Sequence, residues 1–383
     1  MENKKFNPLI FLMSLGAGGI TIIPFAFFQY IFEHGPGLVK YSDIGHGTLS
    51  LANEILFRSF EGIMIVFTII HLVLSVFLIR QLVGWIRVGD YKEMIGNPLK
   101  NAGVLAPFIS IVMTMNVGIG PIRFFLPAFA ENLQMFMLPA LLFWIVIWVA
   151  LMWTEMFLLK VSFEKSFDVN KISFGWLLHP FALSMLTVTG TGIAAMARSA
   201  GVAHTAAFMS LISGTLGLFL LAVKVISIFK SHFVQTGLPE RQFMPSFLIV
   251  IPNITLFAIS GYRLGHYLEV WFGFHMAFFQ LGVVTVAFAF EVWYMMFGLT
   301  LLSGYLKNHF FNGEFYVTQW GLVCPLVAFG VLGSFVYSVF LQSFVFYVAV
   351  LVTTVIVVSL FFILFLRQGR CSGYLAGKGI RCL

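Results

Sequence analysis

Apolar residues run through this 383-residue chain in long uninterrupted stretches, separated by short polar segments rich in Gly, Pro and charge. A bilayer core needs about 20 consecutive apolar residues per helical span. Strands of a membrane barrel would instead show short segments of alternating polarity. The stretches predict ten helical spans, at roughly 8–32, 62–86, 102–121, 133–158, 174–196, 204–229, 245–262, 271–304, 319–340 and 344–366. The expectation is an all-α polytopic membrane protein forming one transmembrane domain over residues 1–383. The run from Leu9 to Phe32 is too long for a signal-peptide core and ends in no small-residue cleavage pattern, so it is expected to stay as the first span.

Composition agrees with that pattern. Sixty per cent of the residues are hydrophobic and ten per cent are Asp, Glu, Lys or Arg, where a soluble domain keeps about a quarter charged to cover its surface. The surface must therefore meet lipid. The net charge of +7 takes its meaning from its distribution. With the N-terminus inside, Lys40, Arg58, Arg123, Arg198 and Arg263 fall on the outer side and every other Lys and Arg on the inner side. A miscounted span would scramble that asymmetry. Both termini are thus expected in the cytoplasm of a bacterial inner membrane, with no nucleic-acid partner. Cys324, Cys371 and Cys382 suggest neither a disulfide framework nor a metal cluster.

Prolines recur along the odd spans. Pro107, Pro180, Pro252 and Pro325 are spaced at nearly constant intervals of two spans and two loops, which marks a helical hairpin as the repeated unit. Pro24 stands in the first span, where the unit is less regular. Proline inside a span frees a backbone carbonyl and bends the helix, and lipid tolerates this where the freed group faces protein or water. Five proline-kinked odd helices around a central pore, with even helices outside, follow as the expected arrangement. Small residues at Gly16-Ala17-Gly18-Gly19, Gly190-Thr191-Gly192, Gly330 and Gly333 suit close packing within such a ring.

Ten spans in five hairpins, the proline-bearing odd helices and the run Trp320-Gly321-Leu322-Val323-Cys324-Pro325 together resemble the tellurite-resistance/dicarboxylate transporter family. It includes plant slow anion channels of the voltage-dependent anion channel type, fungal malate permeases and sulfite exporters. The resemblance implies a pore in each protomer lined by the five odd helices, a homotrimer, and small inorganic or organic anions as cargo. In channel members a phenylalanine on the ninth span occludes the pore directly before a proline. Here that slot holds Cys324, a departure that moves the expected constriction to a neighbour such as Phe329, Phe181 or Phe108.

Several residues remain as candidates for chemistry. Arg123, Arg198 and Arg263 end three consecutive inner spans, where guanidinium groups could surround the outer mouth and concentrate anions. The bland reading has each Arg reach the headgroups or a loop carboxylate such as Glu131 or Glu269. Glu291, inside the eighth span, is a candidate proton carrier. Glu155 is expected to pair with a base such as Lys160. His179, before Pro180, could face the lumen and titrate, or bond to a carbonyl freed by the proline. Ser110, Thr114, Asn116, Ser184, Thr187, Thr189, Thr191 and Asn253 could replace part of an anion's hydration. No metal-ligand spacing, phosphate-cradling loop or soluble domain is present in the sequence, so no enzyme, cofactor or metal is expected. Two functions remain: a channel-like passage for small anions narrowed by phenylalanine, or a proton-coupled transporter of dicarboxylate, sulfite or tellurite-type oxyanions.

Overall fold

The computed structural model describes residues 6–35, 37–234, 237–372 and 381–382, the side chain of Asn170 excepted. Lys4, Lys5 and Lys378, assigned above to the inner side, lie outside the described residues. Among those described, ten helices are long and apolar enough to cross a membrane: α1 Pro8–Ile31, α2 Leu51–Val88, α3 Asn101–Phe125, α4 Leu133–Glu164, α5 Phe174–Met196, α6 Ala200–Val234, α7 Met244–Phe272, α8 Ala277–Phe310, α9 Val317–Phe340 and α10 Phe344–Cys371.

Burial separates them into two classes. The most apolar windows of the odd helices are 67–100 % buried and those of the even helices 28–39 %. An apolar helix with most of its surface uncovered needs lipid or another apolar face as its solvent, so the even helices form the outer layer. The odd helices close on themselves: α1 packs on α3, α3 on α5, α5 on α7, α7 on α9, and α9 on α1. Glycine permits the close approaches in this ring. A Cβ added at Gly16 or Gly19 would come within 2.9 or 2.8 Å of Val323 or Val327 on α9, and one at Gly190 within 2.3 Å of the Trp144 ring on α4.

The repeat prolines act differently from the expected mid-helix kinks. Each of the last four odd helices opens with a 3-10 segment: Asn101–Leu105, Phe174–Leu177, Met244–Ile249 and Val317–Leu322. Pro107, Pro180, Pro252 and Pro325 then occupy the second or third residue of the α-helical part that follows. An α-helix leaves its first four N–H groups unpaired in any case, so proline there removes nothing and presets φ. Each proline therefore marks a change of helix type. Pro24 alone among the five lies well inside its α-helix. The four 3-10 segments and a fifth, Pro8–Ile10 of α1, also pack as a closed ring at the N-terminal end of the odd helices.

Several boundaries differ from the hydropathy reading. Helix α2 starts at Leu51, where the Ser50 hydroxyl caps Asn53 N–H, because its first turns are polar and escape an apolar window. Helix α7 runs to Phe272, well past 262, since one side of its last turns is polar. Gly118–Ile122, containing Pro121, and Val336–Phe340 widen into π turns. The cysteines also depart from expectation: Cys371 and Cys382 are joined by a disulfide. A two-residue parallel pairing of Glu314–Phe315 (β1) with Arg381–Cys382 (β2) brings the chain end back to that point.

Candidate functional site: the central cavity

A cavity of about 860 Å³ fills the axis of the ring, and every odd helix contributes to its wall. The lining positions follow helical spacing, three or four residues apart. On α1 they include Leu15, Gly19, Ile22, Ala26 and Tyr30; on α3, Met113, Asn116, Gly120 and Arg123; on α5, Phe181, Met185, Val188 and Gly192. On α7 they include Pro252, Thr255, Ile259, Tyr262, Arg263 and His266, and on α9, Cys324, Val327, Val331 and Phe335.

The wall changes character along its length. On the five helices no described residue before Leu15, Met113, Phe181, Pro252 or Cys324 lines the cavity. On α5, α7 and α9 it thus ends beside Pro180, Pro252 and Pro325, next to the 3-10 segments, and on α3 it ends at Met113, past Pro107. This closed end is apolar. From Phe181 to Met196, about 22 Å along the helix axis, and on to Arg198 just past the helix end, the wall becomes polar and basic. Lys40, Arg123, Arg198 and Arg263 line it, against the single carboxylate of Glu131. Across the middle, Asn116 Nδ2 donates to Thr189 Oγ1 at 2.9 Å, linking α3 to α5.

The three arginines occupy different settings. Arg198 is exposed at the wide end. Arg123 is buried and donates through Nη2 to the carbonyl of Val39, while its Nε finds no partner. It thereby holds the 33–50 loop, which Gln29 also grips through Val39 N–H at 2.9 Å and Gly37 O at 3.1 Å. Arg263 reaches across to α5, where Nη1 donates to Val188 O at 2.7 Å. Neither Glu131 nor Glu269 is within ion-pair distance of any of the three.

Phe181 and Cys324 both line the closed end. The other expected lumen residues do not line the cavity: Phe108 and His179 precede the first lining residue of their helices, while Phe329 and Asn253 stand off the register of their lining neighbours. Phe108 is half-buried, five residues before Met113. Phe329 packs on Phe288 of α8, ring centroids 5.0 Å apart. Asn253 turns back to donate to Ile249 O at 2.8 Å. His179 faces α4, where its Nδ1 donates to Glu155 Oε1 at 2.7 Å, both side chains fully buried. Glu155 therefore has His179 as partner, and Lys160 pairs with Glu164 at 3.6 Å. Of the eight polar candidates only Asn116 and Thr189 line the cavity; Thr187, for example, meets Ser213 of α6 at 2.9 Å.

Glu291 is fully buried on α8, behind the wall, and accepts a hydrogen bond from Thr255 Oγ1, whose residue lines the cavity. Its second oxygen has no partner. Three further features escaped the sequence reading. His71 joins α1, α2 and α3, donating from Nδ1 to Ser14 O at 2.8 Å with Nε2 2.9 Å from Thr114 Oγ1. Lys224, inside the predicted sixth span, is buried in α6 with Nζ 3.8 Å from the centre of the Trp176 ring. Tyr30, Tyr262 and Phe335 form an aromatic cluster in the wall. For Tyr262 and Phe335, both ten residues past a repeat proline, that spacing is the signal that could have marked them.

Comparison with family models extends the picture. The model of the voltage-dependent anion channel family (SLAC1) matches residues 5–368. No curated protein matches the chain significantly. Members of that family are transport proteins, and the family supports anion movement across membranes. A ring of buried helices around a basic cavity, enclosed by lipid-compatible helices, fits that assignment. The chain is a multi-pass membrane protein that belongs to the voltage-dependent anion channel family.

Proposed function

We propose that the protein passes small anions through the central cavity in a channel-like manner, with the apolar end at Phe181 and Cys324 as its constriction. The observation that carries this reading is the composition of the wall. Four cationic side chains meet one carboxylate, and the cationic groups stand on the wide side of an apolar floor. Such a funnel raises the local concentration of anions and repels cations. Weak polar contacts such as the Asn116–Thr189 pair suit passage better than tight capture.

The arginines have separate parts in this reading. Arg198 draws anions to the mouth, Arg123 shapes the mouth by holding the 33–50 loop, and Arg263 works inside. The wide end faces outward, with both termini in the cytoplasm of a bacterial inner membrane. The inner-side clustering of Lys and Arg supports that orientation. Residues 1–383 then act as one transmembrane domain, and the family resemblance supports three copies, each with its own pathway.

One observation favours a second reading, a proton-coupled transporter of dicarboxylate, sulfite or tellurite-type oxyanions. Glu291 touches the cavity through Thr255, so a proton on that carboxyl would change the hydrogen bonding of a wall residue. Reversal potentials of the purified protein in planar bilayers separate the two. With a chloride gradient, a reversal at the chloride equilibrium potential that ignores an added pH gradient supports passive passage. A current that follows the proton gradient overturns it, and Glu291→Gln should then abolish the coupling.

A further inference from the structure

The guanidinium of Arg263 stands on the cavity wall. It follows Pro252 by eleven residues, about 16 Å along α7 from the closed end. Its reach to Val188 O depends on a missing side chain: a Cβ at position 192 would lie 3.0 Å from Nη1. That contact uses one of five N–H donors. No carboxylate among the described residues is within ion-pair distance of Arg263. Glu269, two turns along α7, is engaged by Met276 N–H at 3.1 Å, Gln280 Nε2 at 3.4 Å and His266 Nδ1 at 3.7 Å.

Beside this cation stands the aromatic cluster. Phe335 of α9 has its ring centroid 4.6 Å from that of Tyr30 on α1 and 5.5 Å from that of Tyr262 on α7. The rings of Tyr30 and Tyr262 are 6.5 Å apart edge to face, and Tyr262 adjoins Arg263 in sequence. Three helices thus place a guanidinium, two phenolic hydroxyls and an aromatic surface on one stretch of wall. All four side chains line the cavity.

We propose that Arg263, Tyr30 and Tyr262 form a binding subsite for a small organic monocarboxylate, with Phe335 covering its apolar part. The inference rests on the anion-pathway reading and names the ligand class of one place within it. A guanidinium edge matches two carboxylate oxygens with two parallel N–H bonds. A phenolic O–H adds a third donor, and the rings accept a hydrocarbon body that a halide lacks. Lysine keeps the charge and loses the two-pronged geometry, so charge and recognition can be separated.

The test uses the full chain, with benzoate and chloride as probes. Isothermal titration in detergent reads benzoate binding, and proteoliposome assays read the flux of each anion. In Arg263→Lys the benzoate dissociation constant should rise about tenfold, and benzoate flux should fall by a larger factor than chloride flux. Tyr30→Phe and Tyr262→Phe leave the charge untouched and should each weaken benzoate by about threefold, which covers the case of an Arg263 variant that fails to fold. Unchanged benzoate affinity in Arg263→Lys, or in both tyrosine variants, overturns the subsite and leaves anion passage standing. Wild-type protein that binds benzoate with these dependences yet moves neither anion supports the subsite and overturns the transport reading.

Discussion

His179 Nδ1 donates to Glu155 Oε1 at 2.7 Å in a pocket that excludes solvent from both side chains. Two residues further along α5, Phe181 lines the closed end of the cavity. Three residues before His179, Trp176 lies under Lys224 of α6. The entry to α5 is thus gripped by an ionisable group from each neighbouring even helix, immediately before the residue at the floor.

Removing the carboxylate should loosen that entry. Glu155→Ala leaves a buried His179 with neither ring nitrogen paired, since Nε2 already has no partner, and should cost about 3 kcal/mol. Glu155→Gln keeps an acceptor for Nδ1 and should cost less than half as much. Thermal unfolding of the detergent-purified variants measures both. Equal losses would show that the cavity left by truncation, and not the hydrogen bond, governs stability here.

Phe181→Ala should raise basal anion flux in proteoliposomes several-fold, because the side chain belongs to the apolar end where the cavity stops. Cys324→Phe should lower it, by adding a ring at the slot where channel members carry one. An unchanged flux in Phe181→Ala would move the constriction into the ring of 3-10 segments below.

Arg198→Ala should reduce anion flux more at about 10 mM salt than at about 500 mM. The Debye length shrinks from roughly 30 Å to a few ångströms across that range. Arg198 is exposed at the wide end, so its long-range attraction is open to screening. An equal reduction at both concentrations would mean that Arg198 acts through direct contact instead.

Gly190→Ala should destabilise the protein by about 1–3 kcal/mol. The new methyl would lie 2.2 Å from Ser210 Oγ and 2.3 Å from Trp144 Cζ2. Trp144 cannot simply turn away, because its Nε1 donates to Leu186 O at 3.0 Å. Gly201→Ala, where nothing lies within 4 Å of the added atom, serves as the control. A similar loss in both would point to a general effect of alanine.

Much of the fold was legible in the chain, for a simple reason. Lipid cannot hydrogen-bond a backbone, so every crossing has to be a long apolar helix, and a run of that length is visible by eye. The repeat prolines were equally visible, and those of α5, α7 and α9 mark the level at which the cavity ends. Their local effect was not, because proline beside a 3-10 turn and proline inside an α-helix look the same in one dimension. Which way His179, Phe329 and Asn253 turn was not legible, since a shift of one residue turns a helical side chain by about 100°.

The sequence by itself determined the class of protein, the number of apolar helices, the family resemblance and the supply of basic groups, all of which depend on composition and order along the chain. Only the tertiary structure decided which side chains meet. His179 finds Glu155, Thr255 finds Glu291, and Arg263 reaches Val188 through rotations and helix neighbours that no hydropathy pattern encodes. Side-chain partnership depends on the angular phase of each helix in the ring, and that phase is set by the packing of glycines, prolines and aromatic rings in three dimensions.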